Sequence, residues 1–333
     1  MFRIVQYSIY ALLLLCVSCA KQQQSSTADT CYAFSADSAY SYIAQQVAFG
    51  ARVPGTEEHL LCGDWLEYEL LRHGAQVKSQ YGCMINYAGE QQPIRNIIAF
   101  VEGNSQHPIL LCAHWDCRPW SDEEEHYQDR FAPVMGANDG ASGVGVILEI
   151  VRQLSLLKAQ GAFVPSVQVV FFDCEDMGTP DHYQGKEREH TWCLGSQLWA
   201  QDYKKSVANN PSSHYKCQYG ILLDMVGDPS ATFPREYFSV NYAGNYVEHL
   251  WRTALRLGYG RYFVNQGASP LTDDHYYVNT IAGIPCVDII DYKPYSGTGF
   301  AHWWHTQQDD MRNINQQTLQ AVGETVLTTI CSK

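Results

Sequence analysis

Hydrophobic and polar positions follow two different periods along the chain. From Ser38 to His73 apolar residues recur at helical spacing in two successive stretches, and His73 with Gly74 ends the second. The same spacing predicts a helix over 142–159 and a closing helix over 316–330. Short continuous apolar runs predict strands at 96–101, 109–113, 167–172, 220–223 and 286–290.

This order of elements predicts a single α/β domain. Strands alternate with helices over most of the chain, which is typical of a central, mostly parallel twisted sheet covered by helices on both faces. Neither an internal repeat nor a low-complexity linker follows residue 30, so one catalytic domain is predicted over 35–333. Two polar stretches without a period, 119–133 and 178–190, are predicted to be loops at the mouth of the site.

The first nineteen residues predict export. Arg3 precedes an apolar run over 10–15 that is too short to span a bilayer and has the layout of a signal peptide. Ser18 before Cys19 resembles a bacterial lipoprotein processing site, so we expect a lipid on Cys19 and a polar tether over 20–34. Signal cleavage without a lipid is the alternative. In both cases the sequence predicts an exported, periplasmic protein. With the lipid, the anchor would be its one contact with a membrane.

Composition excludes some partners. The net charge of -13, with no cluster of Lys and Arg, argues against nucleic acid and against anionic lipid surfaces. Of the 12 cysteines, ten remain once Cys16 and Cys19 of the leader are set aside. Their pairing cannot be deduced from sequence. No Cys-x-x-Cys unit occurs among these ten, which argues against a thiolate zinc site.

Acids and histidines follow the predicted strands, where the ligand site of an open α/β sheet lies. One such residue alone is more often a turn former or a helix cap. Several carboxylates brought to one place repel each other unless a cation neutralises them, and a mixed set of oxygen and imidazole donors suits zinc with three protein ligands. The clusters are His114 and Asp116, Asp139, the acids from Asp173 to Asp176, Asp224, Asp274 and His305.

The residues around these clusters form a specific series. It runs His114-x-Asp116, Asn138-Asp139-Gly140-Ala141-Ser142-Gly143, Phe171-Phe172-Asp173-x-Glu175-Asp176, Leu222-Leu223-Asp224, Asp274-His275 and Trp304-His305-Thr306. The series resembles the zinc aminopeptidase superfamily and, within it, the animal-type glutaminyl cyclases, from about residue 35 to the end. The second and third motifs belong to the whole superfamily, so they imply the fold and the metal but not the reaction.

The resemblance implies a zinc centre with one ion per chain. Asp139, Asp176 and His305 are its ligands, and Glu175 stays free to act as general base and acid. The position of Asp176 is usually glutamate in these families, so the shorter side chain here puts the geometry of the metal in question.

The resemblance also implies roles around the centre. Asp224 and Asp274 would shuttle a proton and hold the substrate amine. An aromatic wall around a glutamine side chain would consist of Trp192, Phe300 and Trp304. His114 and Asp116 are expected to be structural, although His114 with Asp139 and Asp224 would complete a second metal site in a dinuclear enzyme.

The implied activity is that of a glutaminyl-peptide cyclotransferase, which converts the N-terminal glutamine of peptides and exported proteins to pyroglutamate and releases ammonia. A dinuclear zinc aminopeptidase is the first alternative, because it would use the same Glu175 to activate water. A binding protein that has lost its chemistry is the second, and the completeness of the motifs argues against it.

Overall fold

The structure is a computed structural model that describes residues 32–186, 188–210 and 215–332. The predicted signal peptide, Cys19 and the tether up to residue 31 lie outside the described residues. Within those ranges, no helix has both the length and the apolar character needed to span a bilayer.

The described residues form strands and helices in alternation. The strands are β1 (Gln76–Ile85), β2 (Gln91–Val101), β3 (Ile109–His114), β4 (Val167–Phe172), β5 (Gly220–Asp224), β6 (Phe233–Arg235), β7 (Phe263–Gly267) and β8 (Cys286–Ile290). The helices are α1 (Ala36–Phe49), α2 (Glu57–Arg72), α3 (Ala141–Ala159), α4 (Leu194–Asn209), α5 (Tyr237–Arg256), α6 (Asp274–Tyr277) and α7 (Gln316–Cys331).

The main sheet has the strand order β1-β2-β4-β3-β5-β8. Strands β4, β3, β5 and β8 are parallel to one another. At one edge of the sheet, β2 runs antiparallel to β4, and β1 runs antiparallel to β2. Strands β6 and β7 form a separate two-stranded sheet. The prediction of a single α/β domain with a mostly parallel central sheet is therefore confirmed.

Helices cover both faces of this sheet. Helices α1, α3, α5 and α7 pack with the larger hydrophobic cluster, while α4 and the helical turn Val278–Ala282 pack with a smaller cluster on the opposite side. Every residue of β3 and β4 is buried, as expected for central strands covered by helices on both faces.

The predicted strands and helices all appear, but the sequence pattern missed several elements. Strand β1 alternates between exposed and half-buried residues and has no fully buried position, because it lies at the edge of the sheet. Helices α4 and α5 were also missed, since each buries only part of its surface and carries many polar residues. The predicted loops at 119–133 and 178–190 contain only the short 3-10 helix Tyr127–Phe131 among their described residues.

Helix α3 lies unusually close to the sheet because of a glycine. A Cβ atom on Gly143 would lie 2.1 Å from the carbonyl oxygen of Leu223 in β5, a distance that no real contact allows. The absence of a side chain lets the first turn of α3 rest directly on β5. This contact brings Asp139, two residues before the helix, to the carboxyl edge of the parallel strands.

Candidate active site

The carboxyl ends of three adjacent parallel strands converge at one place. His114 is the last residue of β3 and Asp224 the last of β5, and Asp173 follows β4 directly. His114 lies opposite Phe172 in the β3–β4 pairing, so the acids after β4 begin beside it. The site expected at the strand ends is therefore where the polar side chains gather.

Three of the gathered side chains form a compact donor set. Oxygen and nitrogen atoms of Asp139, Asp176 and His305 all lie within 4.8 Å of one another, and all three residues are buried. The His305 Nε2 atom is 3.1 Å from Asp176 Oδ1 and 3.6 Å from Asp139 Oδ2. These are the residues named as metal ligands from the sequence. Two carboxylates and one imidazole fit a zinc ion that keeps an open position.

Charges around the donor set favour an ionised Asp176. Burial opposes ionisation, but His305 and then Arg118 lower the pKa of the Asp176 carboxyl to about 2. Burial, reinforced by Asp176, instead raises the pKa of Asp139. A cation between the two carboxylates would relieve this repulsion, which is a further reason why the set fits a metal ion.

His114 lies among three carboxylates beside this set. Its Nε2 atom is 2.9 Å from Asp139 Oδ1 and 3.2 Å from Asp224 Oδ1, and its Nδ1 atom is 3.3 Å from Asp116 Oδ1. Burial lowers the pKa of His114, but Asp116, Asp139 and Asp224 together raise it well above its ordinary value. A second donor set shares Asp139 with the first. It consists of His114, Asp139 and Asp224, whose polar atoms lie within 4.8 Å of one another.

Asp116 has a supporting position. Its two carboxylate oxygens accept the backbone N–H groups of Glu175 and Asp176, at 3.1 and 3.2 Å. It lies outside both donor sets. These contacts hold the backbone of the two acids after β4, in keeping with the structural role expected for this residue.

Glu175 faces a different group of side chains from its neighbour Asp176. Its Oε1 atom is 3.0 Å from the Sγ atom of Cys193, and polar atoms of Glu175, Cys193 and Asp273 lie within 4.8 Å of one another. Burial raises the pKa of Glu175 well above its ordinary value; His114 opposes this rise, and Asp176 and Asp273 add to it. A carboxyl whose pKa lies closer to neutrality is suited to accept and return a proton.

The sequence singled out Asp274, but its neighbour Asp273 is the acid grouped with Glu175. Both residues are buried, at the start of the short helix α6. Two adjacent acids cannot be distinguished by spacing alone, because which of them points at Glu175 depends on the orientation of the helical turn.

Of the three aromatic residues expected to form a wall, two lie against His305 and the third packs on one of them. Trp304 stacks on the His305 ring at 3.5 Å between ring centres, and Phe300 packs on Trp304 at 4.7 Å. The Trp192 ring is nearly parallel to His305 at 6.3 Å. All three are half-buried, so they border the metal-binding set and remain open to a ligand.

Buried residues that the sequence did not reveal support this arrangement. Arg118 donates to the main-chain oxygen of Asp176 at 3.0 Å, and its guanidinium lies 4.7 Å from the centre of the Trp192 ring. Asp309 accepts the N–H groups of Asn138 and Asp139 at 2.7 and 3.0 Å. Nothing in their sequence context marks these residues, because their partners lie far away along the chain.

The two predicted loops meet beside the site. Trp120 of the first loop and His182 of the second are 5.8 Å apart between ring centres, and Phe131 packs on His182 at 4.9 Å. The N–H group of Glu123 donates to the His305 carbonyl at 3.2 Å. The loops therefore border the site, as their positions after the strand ends predicted.

The cysteines form no disulfide among the described residues. Nine are free, and Cys31 lies outside the described ranges. All of the nine except Cys83 are buried, so most behave as small core residues.

Comparisons with known proteins agree with the fold and the site. The model of peptidase family M28 matches residues 96–330. A glutaminyl cyclase structure from Tannerella forsythia is 46% identical with a TM-score of 0.83, and the match covers 90% of this chain and 99% of that chain. A zinc-dependent exopeptidase structure from Parabacteroides distasonis has the same identity and TM-score, covering 91% and 100% of the two chains. Bovine glutaminyl-peptide cyclotransferase is 24% identical over 251 residues, which span 69% of this chain but only 63% of the bovine protein.

An α/β sheet with carboxylate and imidazole donors beyond its parallel strands defines the zinc-exopeptidase type of fold. The chain belongs to peptidase family M28.

Proposed function

We propose that this chain is a zinc-dependent glutaminyl-peptide cyclotransferase. It would convert the N-terminal glutamine of peptides and exported proteins to pyroglutamate, with release of ammonia. The observation that carries the proposal is the buried set Asp139, Asp176 and His305, with Glu175 beside it and aromatic rings around His305. Similarity to the Tannerella forsythia cyclase over most of both chains supports it.

Asp139, Asp176 and His305 would hold one zinc ion. Bound there, zinc acts as a Lewis acid toward the γ-carbonyl of the substrate glutamine. In these families this position is usually glutamate. The shorter carboxylate of Asp176 is compatible with the assignment because it still reaches the set, with Oδ1 3.1 Å from His305 Nε2.

Glu175 would move the proton. It takes a proton from the substrate's α-amino group, whose nitrogen forms a bond to the γ-carbonyl carbon. The bond from that carbon to the side-chain nitrogen breaks, and Glu175 returns the proton to the leaving ammonia. No water is consumed. The raised pKa of Glu175 suits a carboxyl with both tasks.

Other acids and the aromatic wall would position the substrate. Asp224 and Asp274, as implied by the family resemblance, would hold the substrate's amino group, together with Asp273, which is grouped with Glu175. Trp192, Phe300 and Trp304 would pack on the flat glutamine side chain and keep water away from the reacting carbon. In this scheme His114 and Asp116 are supporting residues.

The alternative function is that of a dinuclear aminopeptidase. The observation in its favour is the second donor set, His114, Asp139 and Asp224, together with the similarity to the Parabacteroides distasonis exopeptidase. In that case two metal ions are expected per chain, and Glu175 would activate water for hydrolysis.

Location follows from the sequence alone. We propose that residues 1–19 direct export, that Cys19 carries a lipid anchor, and that residues 20–34 tether the catalytic domain 35–333 in the periplasm. Radiolabelled palmitate on the wild-type chain, but not on Cys19→Ala, is the expected result. Equal labelling of both chains would contradict the anchor.

The deciding experiment measures ammonia released from a glutamine-initiated dipeptide, with mass spectrometry of the product and a leucine-initiated dipeptide as the control. Loss of ammonia with an intact peptide bond, and one zinc per chain, is expected. Free amino acids and two zinc ions would establish the aminopeptidase. A chain that retains no zinc and turns over neither substrate would instead indicate a binding protein.

A further inference from the structure

The carboxylate of Glu175 has one protein donor among the hydrogen bonds of the described residues. The Cys193 thiol donates to Glu175 Oε1 at 3.0 Å, and Cys193 is fully buried. The other oxygen, Oε2, accepts no hydrogen bond from the described residues. The two oxygens of the proposed proton carrier are therefore not equivalent.

Backbone hydrogen bonds join the two chain segments that carry Glu175 and Cys193. The Cys193 N–H group donates to the Glu175 carbonyl at 2.9 Å, and the Leu194 N–H group donates to the Cys174 carbonyl at 3.0 Å. Cys174 and Cys193 both adopt the left-handed backbone conformation, with φ of 55° and 56°. Residues other than glycine rarely adopt this conformation, so the two chain segments are held against each other in a specific arrangement.

We propose that Cys193 is a positioning residue for Glu175. By donating to Oε1, its thiol holds the carboxylate in one orientation and leaves Oε2 to exchange the proton with the substrate. The inference rests on the proposed function in that Glu175 is the proton carrier.

The surroundings of Cys193 keep its thiol protonated. Burial raises the pKa of Cys193 well above its ordinary value, and Glu175, Asp274 and Asp273 raise it further. The thiol therefore stays protonated and remains a donor at neutral pH. A thiol is also a weak donor, so it orients the carboxylate without strongly stabilising its ionised form, which would make the carboxylate a poorer base.

The test compares Cys193→Ala, which removes the donor, with Cys193→Ser, which keeps one. Cys193→Ala is expected to lower kcat about tenfold and change KM less than about twofold, because a misoriented base slows the chemical step more than binding. Cys193→Ser should recover kcat to within about threefold of wild type, since its hydroxyl also donates to the carboxylate.

Cys217 supplies the matched control. It is buried as well, and its thiol donates to a side-chain oxygen, Gln168 Oε1, at 3.3 Å. Cys217→Ala should therefore show any general effect of losing a buried thiol, with kcat and KM within about twofold of wild type. Normal kcat in Cys193→Ala, equal losses in both alanine variants, or no recovery in Cys193→Ser would each overturn the proposal.

A second measurement separates this inference from the proposed function. If the wild type hydrolyses leucine-initiated peptides instead of cyclising glutamine, the proposed function fails, but the same variants can be compared on hydrolysis because Glu175 is the base in both reactions. Crystal structures of the wild type and Cys193→Ala provide a test independent of turnover. A changed Glu175 orientation in the variant is expected, and an unchanged one would contradict the role of Cys193.

Discussion

Glu175 and Asp176 are adjacent in the chain but differ in their surroundings. Asp176 lies against His305 and Arg118, which lower the pKa of its carboxyl to about 2 despite burial. Glu175 lies against Cys193 and near Asp273, and burial raises the pKa of its carboxyl. The chain bends directly after β4, and the two adjacent side chains contact different groups, so one acid can face a metal and the next a substrate.

This difference gives a prediction for Glu175→Gln. Turnover should fall by about 100-fold or more, because an amide cannot carry the proton. Zinc content should stay at the wild-type level, since Glu175 is outside the set Asp139, Asp176 and His305. Glu125→Gln, an exposed change in a loop beside the site, is the control for the loss of a carboxylate. Near-normal turnover with zinc still bound would rule out this role for Glu175.

At the scale of elements, the contact between α3 and β5 sets the position of Asp139. Gly143 lets the helix rest on the strand, and Arg52 fixes the loop before the helix. The buried Arg52 guanidinium donates to the carbonyl oxygens of Met135 and Gly136, both at 2.6 Å, and to that of Trp115 at 3.2 Å. Asp139 is thus placed by packing on the sheet and by a buried cation.

Gly143→Ala should disturb both stability and the site. The added Cβ would meet the backbone of β5, which cannot move aside as a flexible side chain could, so the free energy of unfolding should fall by about 2 kcal/mol or more. Zinc retention should fall with it, because Asp139 moves with the helix. Urea unfolding and metal analysis measure the two effects.

Gly244→Ala is the matched control for this change. Gly244 lies in α5, and a Cβ added there would have no heavy atom within 4 Å. Alanine favours helix, so stability should stay within about 1 kcal/mol of wild type or rise slightly. If the two variants unfolded at the same urea concentration, close packing of α3 on β5 would not be the reason for the glycine.

At the scale of the whole molecule, buried acids outside the metal-binding set should make stability depend on pH. Asp291, directly after β8, is buried and accepts hydrogen bonds from Thr232 N–H at 2.9 Å and from the Lys293 ammonium at 3.0 Å. Burial raises the pKa of its carboxyl to about 7 even though Lys293 lowers it.

The sign of this dependence follows from the raised pKa. Below about pH 4 the carboxyl is protonated in both folded and unfolded chains; as the pH rises to 7, the unfolded chain releases its proton first. The free energy of unfolding that the protonated Asp291 carboxyl contributes is therefore lost between about pH 4 and 7. Asp291→Asn cannot ionise, so relative to wild type its free energy of unfolding should rise as the pH increases across that window, by up to about 4 kcal/mol.

Urea unfolding at several pH values checks this expectation, with Asp310→Asn as the control. Arg312 lowers the pKa of Asp310, so that carboxyl is ionised in both states over most of the same window. The difference between Asp310→Asn and wild type should stay flat above about pH 5. A flat difference for Asp291→Asn as well would show that its carboxyl is ionised in the folded protein.

Much of the architecture and the site could be predicted from sequence because the relevant signals are local. Buried parallel strands appear as continuous apolar runs, and β4 and β8 have the predicted bounds. The pattern indicated that acids and histidines near the strand ends would meet, and the resemblance to a known family singled out Asp139, Asp176 and His305 among them. These three residues do form one donor set.

The residues that tune the site were decided by tertiary structure. Cys193 reaches Glu175 across 18 residues of chain, and Asp309 reaches Asp139 across 170. Which of Asp273 and Asp274 joins Glu175 depends on the orientation of α6. The edge strand β1 was invisible because its partner on one side, rather than burial, stabilises it.

The sequence by itself therefore determined the fold class and the set of groups that can bind a metal, since burial and strand order leave local traces in the pattern of residues. The tertiary structure decided which oxygen of Glu175 is held and which acids are kept ionised. These properties depend on distances and on exclusion of water between residues far apart in the chain, and no pattern along the sequence records them.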